Sequence, residues 1–121
     1  LVVERWNRRH PESAPRTSWM QDQLGSGGAP IVAASDWVTA LPDLLAPWID
    51  VPYLVLGTDG FGLSDTREAL REFFSVDAKH ITAAAMVALA RGGERTPAEA
   101  ATAIKELGID PDRLPVFVLD R

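Results

Sequence analysis

The stretch VPYLVLGTDGFGLSDTREALREFF, residues 51–74, joins an apolar run to a glycine-rich turn and then to an amphipathic segment. Residues 51–56 are mostly β-branched, aromatic or otherwise apolar, which is typical of a buried parallel strand. Three glycines within the next six residues allow positive φ angles or close backbone approach: Gly57, Gly60 and Gly62. The stretch therefore predicts a strand, a turn and a helix in direct succession.

The predicted helix has a start signal of its own. Asp65 can cap it, and Glu68, three residues later, can reach back to complete a capping box, so we expect a helix over residues 66–74. A strand, a turn and a helix N-terminus together place backbone N–H groups and a positive dipole end at one edge of a sheet. This geometry suits anion binding, and it equally suits the docking of one domain on another.

Helix and strand signals also alternate before this stretch. The pattern predicts a helix over residues 1–9, a loop over 11–28 and a short strand over 30–34. Ser35 and Asp36 can cap a following helix over residues 37–48, which two prolines should kink or split: Pro42 and Pro47.

Two more helices are expected after it. Asp77 caps one that runs through Ala90 and ends at Gly92. The run Thr96-Pro97-Ala98-Glu99 is a complete start signal for a last helix that extends to Leu107. The tail, residues 115–119, is apolar enough to pack against another part of a protein.

Size and composition indicate one domain of ordinary globular character. The 121 residues suit a single core, and 46% of them are hydrophobic. The net charge of −5 argues against a nucleic-acid-binding domain, which usually carries a basic patch. The sequence has no cysteine, which excludes disulfides and thiol catalysis within it and is compatible with the cytoplasm. No apolar run approaches the ~20 residues that span a bilayer, and the start at Leu1 predicts that the native N-terminus lies further upstream.

Residue types that perform catalysis are present, but not in the required patterns. The two histidines, His10 and His80, lie far apart, whereas a zinc site needs three or four ligands at short spacings. The serines lack the G-x-S-x-G context of a hydrolase nucleophile, and the glycine turn lacks the lysine of a phosphate-binding loop. We therefore assign no catalytic, cofactor-binding or metal residue to the chain. We interpret the tryptophans as core or interface anchors: Trp6, Trp19, Trp37 and Trp48.

Several motifs together resemble one enzyme family. The runs GTDGFG at 57–62, SDTRE at 64–68 and FFSVD at 73–77 closely resemble the C-terminal region of the homodimeric, thiamine-diphosphate-dependent pyruvate dehydrogenases. These enzymes are the decarboxylating component of the pyruvate dehydrogenase complex. The run ERWN at 4–7, followed by His10-Pro11, and the run ASD at 34–36 match further segments of that region. The resemblance runs in the same order over nearly all of the chain, which is similar to a fragment of the longer enzyme.

The resemblance implies both a fold and a function. It implies one three-layer α/β/α, transketolase C-terminal-like domain over residues 1–121, incomplete on its N-terminal side. The parent enzyme is then a cytoplasmic homodimer that decarboxylates pyruvate with thiamine diphosphate and Mg²⁺ in the step after glycolysis. It transfers the acetyl group to the lipoyl group of a partner acyltransferase. In that family the cofactor lies between the preceding domains of two subunits. This domain then supports the dimer and forms part of the wall of the active site, without binding the cofactor.

The cofactor signature of that family is absent from this chain. The signature is Gly-Asp-Gly followed at a distance by Asn. The Asp and Asn side chains supply the hard oxygen ligands of the metal. Here the triplet is Thr58-Asp59-Gly60, and the one asparagine, Asn7, lies upstream. We expect the isolated chain to be inactive and to bind no thiamine diphosphate.

Two interpretations of the function remain open. Two strands do not make a stable sheet alone, and an exposed strand edge invites pairing with another chain. The chain is therefore a domain of a pyruvate dehydrogenase or another transketolase-like enzyme, or else a stand-alone α/β interaction module. In the enzyme we expect an interface at the turn, where Phe61 packs against a neighbouring domain because burial of its ring is favourable. The competing view is that Phe61 folds back into the core of this domain. A stand-alone module would use the glycine turn to bind a partner or a small anion. The candidate interface residues are Gly57, Asp59, Gly60, Phe61, Gly62, Asp65 and Arg67.

Overall fold

The computed structural model describes residues 2–25 and 27–115. The elements in chain order are α1 (Val2–Arg9), β1 (Ile31–Ala34), α2 (Ala40–Asp43), β2 (Tyr53–Leu56), α3 (Arg67–Phe73), α4 (Ala78–Arg91) and α5 (Pro97–Glu106). A π-helical turn at Gln21–Gly25 precedes β1, and a 3-10 turn at Ala46–Trp48 follows α2. The mixture of helices and strands confirms the α/β class. The predicted apolar tail lies, from residue 116 onward, outside the described residues.

The two strands form a parallel pair. Ile31 lies opposite Tyr53, and Ala34 lies opposite Leu56. The chain crosses from β1 to β2 through α2, so the loops that follow both strands meet at the carboxyl edge of the sheet. In the described part of the chain the sheet has these two strands alone, which leaves the outer edge of each without a strand partner there. A sheet of this size is too small to be stable by itself.

The buried core is small. Helix α4 packs on both strands, and α5 packs on α4. Among the described residues, the buried apolar side chains are Ile49 and three alanines: Ala83, Ala88 and Ala100. Removal of such small side chains from water stabilises a fold little, because the gain scales with the apolar area buried.

Two of the four tryptophans do not anchor this core. Trp19 is 76% exposed and Trp37 is 67% exposed. The core half of the prediction is therefore wrong for these two side chains, because both are mostly exposed in the described part of the chain. Their exposure leaves the role of interface anchors open to test.

The start signals of the two long helices are confirmed. The Asp77 carboxylate accepts a hydrogen bond from the His80 backbone N–H at 3.0 Å, at the start of α4. The Thr96 hydroxyl accepts from the Glu99 backbone N–H at 3.2 Å, and the Glu99 carboxylate accepts in return from the Thr96 N–H at 2.8 Å. Both elements form from local signals, as the sequence predicts.

Two predicted caps are wrong. The N-cap of α3 is Thr66, whose hydroxyl accepts from the Ala69 backbone N–H at 3.2 Å. Asp65 instead accepts from the Thr66 N–H next to it at 2.6 Å, so it forms no capping box with Glu68. Ser35 and Asp36 likewise do not cap the next helix, because α2 begins only after Thr39. The predicted split at the prolines is confirmed, since the segment forms the short α2 and a separate 3-10 turn.

One described stretch, Arg67–Arg91, has the length and composition of a membrane-crossing helix. In the structure this stretch is two helices, α3 and α4, which are separated by a turn with φ of 59° at Ser75. Helix α4 packs on the sheet and on α5, although only 11% of the apolar window is buried.

Candidate functional site

Two loops are joined by hydrogen bonds at the carboxyl edge of the sheet. The Thr58 backbone N–H donates to the Trp37 carbonyl at 2.9 Å, and the Thr58 hydroxyl donates to the Asp36 carbonyl at 2.7 Å. Asp59 accepts at both carboxylate oxygens, from the Thr39 N–H at 2.9 Å and from the Thr39 hydroxyl at 2.8 Å. We call residues 36–39 and 57–61 together the edge platform. Four hydrogen bonds across about 20 residues of sequence hold it in one arrangement.

Gly57 is required by the closeness of these loops. A Cβ atom at this position would lie 2.5 Å from the Trp37 carbonyl oxygen and 3.0 Å from the Thr39 nitrogen. Both neighbours are backbone atoms, which cannot move aside without separating the loops. The φ angle of Gly57 is not in the left-handed region, so close packing and not backbone conformation explains the glycine.

The edge platform displays two aromatic side chains to solvent. Phe61 is 86% exposed, and it follows Gly60, whose φ of 102° turns the chain outward. Trp37 on the neighbouring loop is exposed as well, and so are the nearby Val38 and Leu63. The alternative that Phe61 folds into the core of this domain is thereby contradicted. Exposed aromatic side chains on a rigid base are typical of interface hot spots, because little conformational freedom is lost on binding.

The remaining predicted site residues lie beside the edge platform. Gly62 has no atom within 4 Å of the position of a Cβ, so close packing does not require glycine there. Asp65 and Arg67 are exposed at the start of α3. Thr39 is the member that the sequence interpretation missed, whereas Trp37 was identified as an anchor but not as part of this site. No local signal places either residue here, since their partners lie in the other loop.

The chain offers no fitting site for a metal or for thiamine diphosphate among its described residues. Both carboxylate oxygens of Asp59 already accept hydrogen bonds from Thr39. The side chain of Asn7 is bound to the backbone of Arg16, through a carbonyl at 2.9 Å and an N–H at 2.8 Å. No group of three metal-ligating side chains occurs within residues 2–25 and 27–115.

His80 has a structural partner. Its ring Nδ1 lies 2.5 Å from the Asp77 carboxylate, and both side chains are partly buried. Burial alone would raise the pKa of Asp77, but the hydrogen bonds from the His80 backbone and ring outweigh it, so this pKa lies below its usual value. The pair therefore stabilises the start of α4.

Known proteins match the chain over nearly its whole length. No family model matches the sequence, but curated relatives do. The chain is 43% identical over 114 residues to the pyruvate dehydrogenase E1 component of Pseudomonas aeruginosa and 45% identical over 111 residues to that of Cupriavidus necator. It is 39% identical over 110 residues to that of Mycolicibacterium smegmatis. These matches cover 91–93% of this chain and 12–13% of the relatives. The chain is therefore similar to pyruvate dehydrogenase E1 components over nearly its whole length, and it spans 12–13% of the length of these relatives.

Proposed function

We propose that this chain is the C-terminal domain of a pyruvate dehydrogenase E1 component, with a structural and not a catalytic role. The observation that carries the proposal is the match to E1 components over more than nine-tenths of the chain. The small core and the two-stranded sheet support it, because both are expected of a part that folds against the rest of a larger protein.

The whole enzyme, in this proposal, oxidatively decarboxylates pyruvate and passes the acetyl group to the lipoyl group of its partner acyltransferase. Thiamine diphosphate and Mg²⁺ supply the chemistry that stabilises the negative charge left by loss of carbon dioxide. Because the described residues of this chain do not fit that cofactor, we assign its binding to the rest of the enzyme. We further propose a homodimer in the cytoplasm, for which the cysteine-free sequence is suitable.

The contribution of this chain is a docking surface and part of a sheet. We propose that further strands of the same enzyme complete a three-layer α/β/α, transketolase C-terminal-like domain. The edge platform then faces a neighbouring domain or subunit, with Phe61 and Trp37 as its anchors. Burial of these two side chains would contribute several kcal/mol, since full burial of one large apolar side chain contributes about 1.5–3 kcal/mol.

The activity of the intact protein that contains this chain tests the proposal. With thiamine diphosphate and Mg²⁺ present, it should release carbon dioxide from pyruvate and reduce an artificial electron acceptor such as ferricyanide. Comparison with 2-oxobutyrate and 2-oxoglutarate identifies the preferred 2-oxo acid. Turnover of a different 2-oxo acid, with none of pyruvate, would contradict the proposed substrate. The absence of all cofactor-dependent decarboxylation would contradict the proposed enzyme.

A further inference from the structure

The C-terminal end of α3 contains a strained turn. Ser75 has φ of 59°, a conformation that favours glycine because a side chain there meets the backbone. The Val76 N–H donates to the Arg71 carbonyl at 2.9 Å, and the Ser75 N–H donates to the Glu72 carbonyl at 3.1 Å. These two bonds form the Schellman arrangement that ends many helices, usually with glycine in the place of Ser75. This turn therefore needs stabilisation from elsewhere.

Arg113 provides a contact to this turn from a distant part of the sequence. Its guanidinium donates from Nη2 to the Phe73 carbonyl at 3.2 Å and from Nη1 to the Glu72 carbonyl at 3.4 Å. Carbonyl groups at the end of a helix carry partial negative charge, and the Glu72 carbonyl, which already accepts from the Ser75 N–H, accepts from Arg113 as well. The flat fork of an arginine side chain suits two adjacent acceptors better than the single ammonium of lysine.

The same turn is held from a second side by α4. The Lys79 ammonium lies 2.6 Å from the Glu72 carboxylate, between the first turn of α4 and the last turn of α3. This hydrogen bond raises the pKa of Lys79 and lowers that of Glu72. An open groove runs between α3, α4 and the segment after α5, which is residues 107–115. Its lining is mainly apolar and includes Phe73, Phe74, Val87, Ile104, Ile109 and Leu114. Arg113 also lies along this groove.

We propose that Arg113 is a conformational latch, which holds the strained end of α3 closed and ties the segment after α5 across the apolar groove. When the guanidinium leaves the two carbonyl groups, the turn at Ser75 opens and α3 loses its last turn. Gly57 and Asp59 of the edge platform also line this groove, so the latch holds residues 107–115 beside that platform. The inference rests on the contacts of Arg113 and Ser75, and it does not depend on the proposed enzymatic function.

Hydrogen–deuterium exchange of the intact protein, measured by mass spectrometry, tests the latch. Arg113→Ala should increase exchange about two- to fivefold at the amides of residues 74–76, which corresponds to the usual stabilisation by a cation at a helix C-terminus. Exchange in α5 should not change. Arg95→Ala is the matched control, because Arg95 is an exposed arginine whose partner, Glu99, lies outside the latch.

A second variant separates the latch from general destabilisation. Ser75→Gly removes the strain of the positive φ, so in the Arg113→Ala background it should restore slow exchange at residues 74–76. Unchanged exchange there in Arg113→Ala would overturn the proposal, and so would an equal increase in every helix. Failure of Ser75→Gly to slow exchange in the double variant would overturn it as well.

Discussion

Substitution of Gly57 by alanine tests the construction of the edge platform directly. The added Cβ would lie 2.5 Å from the Trp37 carbonyl oxygen, far inside contact distance. The two loops must then separate. This movement breaks the bond from the Thr58 N–H to Trp37 and loosens the two bonds between Asp59 and Thr39.

The expected cost follows from these contacts. Overpacking of a closely packed site costs about 1–3 kcal/mol, and each hydrogen bond that is lost contributes about 0.5–1.5 kcal/mol. Together they predict a loss of about 2–4 kcal/mol in the free energy of opening the edge platform. A loss of 2 kcal/mol corresponds to roughly 30-fold faster amide exchange, since about 1.4 kcal/mol is a factor of ten.

Amide exchange of peptides that cover residues 36–41 and 57–61 in the intact protein measures this loss. The informative amides are those of Thr39 and Thr58, which donate across the two loops. Gly62→Ala is the matched control, because no atom lies within 4 Å of its added Cβ and its φ is not in the left-handed region. If Gly57→Ala and Gly62→Ala exchange at the same rate, the reasoning from close packing is refuted.

Three further predictions concern local structure and cofactor binding. Thr66→Ala should destabilise α3 by about 0.5–2 kcal/mol, whereas Asp65→Ala should change the stability of α3 by less than about 0.5 kcal/mol. If amide exchange of α3 rises more in Asp65→Ala than in Thr66→Ala, Asp65 is the cap after all. The pKa of Asp77 lies below its usual 3.8, so its stabilisation of α4 should be present above that pH and lost as the pH falls through the lowered pKa. Asp77→Asn should remove this acid-dependent stabilisation, while asparagine still caps the helix. The measurement is amide exchange of α4 at pH 2.5 and at pH 6, corrected for intrinsic rates. If Asp77→Asn loses as much stability of α4 on acidification as the unmodified protein does, the prediction is wrong. Calorimetry on the isolated chain should detect no binding of thiamine diphosphate with Mg²⁺, and tight binding would contradict the assignment of the cofactor to the rest of the enzyme.

Local signals explain why most helices and strands could be predicted from the sequence. Asp77 and Thr96 each stand directly before a helix, with no competing cap beside them, and both helices begin where expected. The cap of α3 was predicted wrongly for a simple reason. Asp65 and Thr66 are adjacent residues that both cap well, and the choice between them depends on backbone angles that the sequence does not specify.

Contacts between distant residues explain what could not be predicted. Asp59 was expected at an interface turn, but its partner Thr39 lies 20 residues earlier and has no sequence signature of its own. The contact of Arg113 with Phe73 spans 40 residues and was equally hidden. Trp37 was expected to be a core or interface anchor; it is 67% exposed, so it does not anchor the core, and its role at an interface stays a prediction.

Phe61→Ser in the intact protein tests the central claim, the proposal that the edge platform docks on the rest of an E1-like enzyme. Activity with pyruvate and the oligomeric state should be measured together, with Val2→Ser as a control at a comparably exposed apolar residue away from the edge platform. We predict loss of activity or of the dimer for Phe61→Ser, with amide exchange of Thr39 and Thr58 unchanged and Val2→Ser unaffected. Full activity and an intact dimer in Phe61→Ser would contradict the docking role, and so would a large loss of stability within this chain.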